Sequence, residues 1–328
     1  MTLMIATAIV AAVTVGGAFA QSNAPSISHD YAEVNGQRLH YAKAGRGPLM
    51  IFLHGFPEFW YEWKNQLAEF SRDHTAVAPD LRGYNLSSKP AEVSDYAVPN
   101  IVADVHALAT ELLKSTGGTR FTLVAHDWGG VVAWVYAAQH PEMLDKLVIL
   151  NAPHPSLFGR ELRENPAQQK ASEYMLMFRS QEAEALLSEN QFEWLKRAVL
   201  GGSPSKADED AYVEAWSQPG ALTGGLNYYR ASGVGPPPAS ATSATSGATS
   251  STTSTTPPAV PMMIARVPTL VIWGEKDTAL LASNLNGLDQ VVPKLTVKRI
   301  PDGTHWIARE KAADVNKLIR EFLAQPGS

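Results

Sequence analysis

One short stretch limits this chain more than any other. Phe121 to Ala125 is an apolar run of strand length, Val131 to Gln139 reads as helix, and His126-Asp127-Trp128-Gly129 joins them. Small residues, Ala125 and Gly129, flank Asp127 two positions away on either side. A strand that turns sharply into a helix needs such neighbours, and it holds its apex side chain exposed. The apex residue then decides the chemistry. A carboxylate that attacks an ester or amide forms an anhydride, a poor resting intermediate, whereas attack on an alkyl carbon gives an ester that water can cleave. The elbow therefore points away from acyl transfer and toward epoxides or alkyl halides. An aspartate here also suits a helix N-cap, and this stretch alone does not separate the two readings.

Three other segments bear on that choice. Leu49 to Leu53 reads as a buried strand and runs into His54-Gly55-Phe56-Pro57-Glu58. A turn there aims the Phe56 N–H toward the elbow, and the Trp128 N–H is the natural second donor to an oxyanion on Asp127. Thr269 to Trp273 reads as another strand, followed by Gly274-Glu275-Lys276-Asp277, and Leu295 to Ile300 as a third, followed by Asp302-Gly303-Thr304-His305-Trp306. Nucleophile, acid and base thus run Asp127, Asp277, His305, the α/β-hydrolase order, each just after a strand.

With His54-Gly-Phe-Pro-Glu58, Asp80-Leu-Arg-Gly-Tyr84, His126-Asp-Trp-Gly-Gly130, Asn151-Ala-Pro-His-Pro155, Glu275-Lys-Asp277 and His305-Trp306 in place, the chain resembles the α/β-hydrolases of the epoxide hydrolase group, over roughly residues 27 to 325. The resemblance implies an α/β fold with a mostly parallel sheet and an inserted helical cap. The core would run over 27–152 and 262–328, the cap over 153–233, and a Ser/Thr/Pro/Ala-rich insert over 234–261. It also implies a cis bond at Phe56-Pro57, so that His54, Gly55 and Pro57 support the turn.

Two cap tyrosines of that family donate to the epoxide oxygen. Leu226-Asn-Tyr-Tyr-Arg230 resembles one site and puts Tyr229 in the catalytic place, with Tyr228 as its decoy; Glu173-Tyr-Met-Leu-Met-Phe178 resembles the other and makes Tyr174 the partner. A phenol can donate to developing alkoxide charge without first ionising. The alternative is that both are ordinary amphipathic cap residues. The implied reaction is attack of Asp127 on an epoxide carbon, an alkyl-enzyme ester, and its hydrolysis by water that His305, supported by Asp277, activates. Haloalkane dehalogenases share Asp127, Trp128 and His305, but typically place a halide-gripping Asn or Trp after the His54-Gly55 turn, where this chain has Phe56. A haloacid or fluoroacetate dehalogenase would want arginines where Trp128 and Val131 stand. A non-catalytic binding protein on the same fold is the reading from another class.

The chain departs from the family pattern at Ala125 and at Asn85, a residue that tolerates positive φ. The larger departure is Val234 to Pro261, without charge or aromatic, which reads as a disordered loop or a glycosylated stalk-like segment. Leu3 to Val15 is almost uniformly apolar, and Ala18-Phe-Ala20 fits a cleavage site, so residues 1–20 read as a signal peptide for secretion or periplasmic export. An uncleaved N-terminal membrane anchor is the alternative.

A formal charge of −5 without a basic stripe gives no sign of nucleic acid, and with no cysteine there are no disulfides. Nine scattered histidines form no metal-ligand set, His126 reading as packing beside Asp127, and no phosphate-cradling loop implies a nucleotide. The expected partners are thus a small apolar epoxide and water, with no cofactor, no metal and no lasting membrane insertion; oligomeric state is not legible. Asn35-Gly36 predicts a hairpin turn. Helices are predicted over Asn100–Ser115, Val131–Gln139 and Trp306–Ala324, and in the cap over Glu161–Arg179, Glu182–Leu200 and Ser205–Gln218. Met175, Met177, Phe178, Phe192 and Trp194 read either as pocket lining or as cap core.

Overall fold

The computed structural model describes residues 26–201, 204–237 and 263–325. The expected signal peptide lies outside them, as does the insert beyond residue 237. The first half runs β1 (Ser28–Val34), β2 (Gln37–Ala44), β3 (Leu49–Leu53), α1 (Lys64–Phe70), β4 (Thr75–Pro79), α2 (Val98–Thr116), β5 (Phe121–His126), α3 (Asp127–Gln139) and β6 (Leu144–Leu150). Six helices follow: α4 (Pro155–Glu164), α5 (Pro166–Ala171), α6 (Tyr174–Arg179), α7 (Ala183–Leu195), α8 (Lys206–Ser217) and α9 (Ala221–Ser232). The chain then returns to the sheet through β7 (Thr269–Gly274), β8 (Leu295–Ile300), α10 (Ile307–Glu310) and α11 (Ala312–Leu323).

The eight strands form one sheet in the order β1-β2-β4-β3-β5-β6-β7-β8. The β1–β2 and β2–β4 pairings are antiparallel, and from β4 to β8 every pairing is parallel. β3, β4 and β5 are buried at every residue because helices cover both faces, which is why they read as continuous apolar runs. β8, at the edge, exposes Lys298 and Arg299, charges of the kind that discourage edge pairing with another chain. Asn35 and Gly36 both take positive φ, 50° and 75°, and close the β1–β2 hairpin with Val34 opposite Gln37. In a parallel sheet all strands deliver their following loops to the same edge, so the segments after β3, β5, β7 and β8 meet there.

The helices depart from the sequence reading in identifiable ways. The single helix expected over Glu161–Arg179 is three, α4 to α6. Pro166 cannot continue a helix from Glu164, and Asn165 restarts it by accepting from the N–H groups of Ala167 and Gln168. The helix expected over Glu182–Leu200 breaks within α7, where Asn190, Gln191 and Phe192 take φ of 49°, 56° and 61°. Trp306–Ala324 divides at Lys311 into α10 and α11. The helix over Ser205–Gln218 forms as α8, with Ser205 capping Asp208 N–H. Among the described residues no helix is long and apolar enough to cross a membrane.

Candidate active site

The elbow forms at the β5–α3 junction, and Asp127 takes φ of 47°, a left-handed conformation that is uncommon for any residue but glycine. Close packing makes the turn possible: a Cβ on Gly129 would lie 2.3 Å from the Leu53 carbonyl oxygen. The N-cap reading does not hold. Helix α3 begins at Asp127 itself, His126 occupies the cap position, and no side chain caps the helix. The Asp127 carboxylate turns instead to the neighbouring loop, where Oδ1 accepts from the Phe56 N–H at 2.9 Å.

That donor sits on a rigid turn. The Phe56-Pro57 peptide is cis, and His54, wholly buried, uses both ring nitrogens: Nδ1–H donates to Gly55 O at 2.9 Å and Nε2 accepts from Leu81 N–H at 3.0 Å. Burial lowers the His54 pKa to about 4, keeping the ring neutral as this arrangement requires. The Trp128 N–H makes no hydrogen bond to the Asp127 carboxylate among the described residues. Of the two expected donors, Phe56 alone is engaged with it.

His305 is brought to the same place. Its Nε2 lies 3.7 Å from Asp127 Oδ2, too long for a direct hydrogen bond, and its Nδ1 lies 2.7 Å from Asp277 Oδ2. Asp277 is held from several sides, since Oδ1 accepts from the N–H groups of Ala279 (2.8 Å) and Leu280 (2.9 Å) and Oδ2 from Asn151 Nδ2 (2.7 Å). Burial would raise its pKa, but the His305 charge and these hydrogen bonds outweigh burial and hold it below the usual value. Burial likewise works against a charged His305, and the surrounding carboxyl groups, Asp277 first and then Asp127 and Glu62, outweigh it to raise His305 to about 9.

Asn151 is a residue whose part the sequence reading missed. It follows β6 with φ of 35°, and while its Nδ2 donates to Asp277 its Oδ1 accepts from Gly274 N–H at 2.8 Å. The motif around it was visible, but nothing local says that it would face a carboxylate 126 positions later.

The cap supplies the opposite wall. Helix α9 lies directly on the Arg82–Tyr84 turn, where a Cβ on Gly224 would be 2.3 Å from Gly83 O. This approach sorts the adjacent tyrosines. The Tyr228 hydroxyl donates to Arg82 O at 2.8 Å, while Tyr229 packs edge-on against Trp128, Phe56 and Phe178. Burial, followed by the Asp127 charge, pushes the Tyr229 phenol well above its ordinary value, and its hydroxyl also meets the Trp128 side chain. Tyr174, on α6, is raised by the same two causes in the same order. Both phenols therefore stay protonated and lie within the field of Asp127.

Between cap and core is a cavity of about 300 Å³ lined by Asp127, Trp128, Val131, Phe158, Met175 and Tyr229 among others. Of the five apolar residues singled out earlier, only Met175 is among its lining residues. Phe178 packs beneath Tyr229, Phe192 packs on Trp216, and Met177 and the half-exposed Trp194 line a separate groove. Val234, where the unusual insert begins, also lines the cavity.

Comparison with known proteins agrees with this architecture. The family model described as alpha/beta hydrolase fold matches residues 48–312. Epoxide hydrolase 3 of Xenopus tropicalis is 36% identical over 312 residues, covering 90% of this chain and 78% of that protein. The chain belongs to the epoxide hydrolases of the α/β-hydrolase fold. Epoxide hydrolase 4 of Mus musculus is also 36% identical, over 322 residues, with 92% of this chain and 82% of that one covered. The crystal structure of Bacillus megaterium epoxide hydrolase in complex with an inhibitor superposes on this epoxide hydrolase with a TM-score of 0.77 at 35% identity, covering 90% of this chain and all of that one.

Proposed function

We propose that this enzyme converts an epoxide to a vicinal diol through an alkyl ester on Asp127. The observation that carries the reading is the Tyr229 phenol, which lines the same cavity as Asp127 and packs edge-on against Trp128, with the Tyr174 phenol also in the field of Asp127. A halide leaving group needs no proton, whereas an epoxide oxygen does. The Phe56 side chain, in the turn where a dehalogenase would grip halide, has no donor.

The protons close over the cycle. In the resting enzyme Asp127 is a carboxylate and His305 carries a proton. Asp127 attacks an epoxide carbon, the C–O bond breaks, and the alkoxide takes a proton from a tyrosine. His305 returns a proton to that tyrosinate by way of water and becomes neutral; the ester has just removed one of the charges that held its proton. His305 then takes a proton from water, and the hydroxide adds to the ester carbonyl, where the Phe56 and Trp128 N–H groups receive the oxyanion. On collapse the C–O bond to the diol breaks, the proton of the added hydroxyl passes to the departing oxygen, and Asp127 is again a carboxylate while His305 keeps the proton it took from water.

The test offers the purified protein and an Asp127→Ala control styrene-type and fatty epoxides, bromoalkanes and a simple ester. Diol formation that disappears in the control is the expected result. Halide release without diol would replace this reading with the dehalogenase one.

A further inference from the structure

The loop that carries the acid is gripped from the cap side by one buried amide. Gln168, on α5, is wholly buried, and its side chain makes four hydrogen bonds, as many as an amide can make. Its Nε2 donates to Ala279 O at 2.8 Å and to Ser172 Oγ at 2.8 Å. Its Oε1 accepts from Leu281 N–H at 2.9 Å and from Asn284 Nδ2 at 2.8 Å. A backbone carbonyl only accepts and a backbone N–H only donates, so the contacts with Ala279 and Leu281 admit one orientation of the amide. Ala279, Leu281 and Asn284 all belong to the loop after β7, a few residues beyond Asp277.

A single peptide group joins this amide to the acid. The Ala279 carbonyl that accepts from Gln168 and the Leu280 N–H that donates to Asp277 Oδ1 at 2.9 Å are the two ends of the Ala279–Leu280 peptide. A peptide whose carbonyl accepts a hydrogen bond becomes a stronger N–H donor. The chain of bonds continues from Asp277 Oδ2 to His305 Nδ1 at 2.7 Å. Leu280 also lines the cavity, so the same peptide seats part of the substrate wall. A second seam runs alongside. Ser283 Oγ donates to Glu161 Oε2 at 2.8 Å, and Arg160 donates to Asn286 O at 2.9 Å, which ties α4 to the same loop.

We propose that Gln168 is a positioning residue for Asp277, acting through the Ala279–Leu280 peptide to fix the carboxylate against His305. The inference rests on the ester mechanism above. Its weight falls on the second half-reaction, in which His305 takes a proton from water and Asp277 supports the imidazolium that results. A loop released from Gln168 lets the carboxylate turn away as that charge forms. Helices α4 and α5 then belong mechanically with the core, and the phenols on α6 and α9 ride on a separate part of the cap.

Two substitutions and one spectroscopic measurement test this. Methionine matches the length of glutamine and replaces its amide with a thioether that has no N–H to donate. Gln168→Met should slow ester hydrolysis, followed in single turnovers, by about tenfold, and ester formation by less. Ser172→Ala removes the Gln168 bond that stays within α5 and leaves the loop bonds alone, so it should keep both steps near the wild-type rates. In substrate-free enzyme, the proton between His305 Nδ1 and Asp277 should give a far-downfield proton NMR signal, assigned by its loss in His305→Asn. That signal should move upfield in Gln168→Met and stay in place in Ser172→Ala. A Met variant with wild-type ester hydrolysis, equal slowing of both steps, an unmoved signal, or a Ser172→Ala protein as impaired as the Met variant each overturns the proposal. Should Gln168→Met not fold, Gln168→Asn, the same amide one methylene short of the loop, should show the same selective loss, and its absence there overturns the proposal equally. The NMR reading needs no turnover, so it stands apart from any failure of the epoxide reading.

Discussion

Tyr228 and Tyr229 are adjacent on α9 yet belong to different parts of the protein: one is tied by its hydroxyl to the Arg82 carbonyl, the other packs on Trp128 in the field of Asp127. Their substitution by phenylalanine should therefore give opposite results. Tyr229→Phe should lower the rate of ester formation by about a hundredfold, the usual order for loss of a general acid, with little change in melting temperature. Tyr228→Phe should cost about 1 kcal/mol of stability through one lost hydrogen bond and leave ester formation near normal. Stopped-flow single turnovers and thermal melts on the two variants check both.

His305→Asn should separate the two half-reactions. Asp127 keeps its Phe56 hydrogen bond and its attacking geometry, so the ester forms, but no base is left for water. Intact-protein mass spectrometry after mixing with an epoxide should show one covalent adduct of the substrate's mass, absent from the Asp127→Ala protein. Normal turnover by His305→Asn would remove His305 from the role of base.

Asn151→Gly probes the support of the acid. Glycine accepts the positive φ at this position and removes only the amide that bonds Asp277 and the Gly274 N–H. A hydrogen bond to a charged group is worth about 1.5–3 kcal/mol, so ester hydrolysis should slow by about tenfold or more while ester formation changes less. Equal slowing of both steps would point to a general loosening of the site instead.

The raised proton affinity of His305 also makes a prediction about stability. Its folded-state pKa, about 9, stands above the ordinary value of 6.5. The stabilisation linked to its proton is therefore complete below about pH 6.5 and fades as the pH rises toward 9. Replacing Asp127 with Asn removes one of the charges that raise it, so the fade should be smaller and be complete at lower pH, its onset near pH 6.5 unchanged. Melting temperatures of wild type and Asp127→Asn across this range show whether the two curves separate in that direction.

The sheet was legible because its inner strands, such as Leu49–Leu53 and Phe121–His126, are buried on both faces and so appear as unbroken apolar runs bounded by turn residues. The positions of Asp127, Asp277 and His305 followed from it, since parallel strands present their following loops at one edge. The cap was less legible. Pro166 marks a break on inspection, but the left-handed run at Asn190–Phe192 contains no glycine and leaves no local signature. The partnership of Asn151 with Asp277 depends on packing between distant segments, and no window along the chain contains both members.

The two phenols stand on cap helices α6 and α9, whereas Asp127, Asp277, His305 and the Phe56 donor all stand in the core, on the segments that follow β5, β7, β8 and β3. Under the proposed chemistry the halves of the reaction therefore make unequal demands on timing. Ring opening requires the cap seated, because the proton donors travel with it. Ester cleavage draws on the core alone, so a cap that lifts once the ester has formed would let in solvent without dismantling the machinery still to be used.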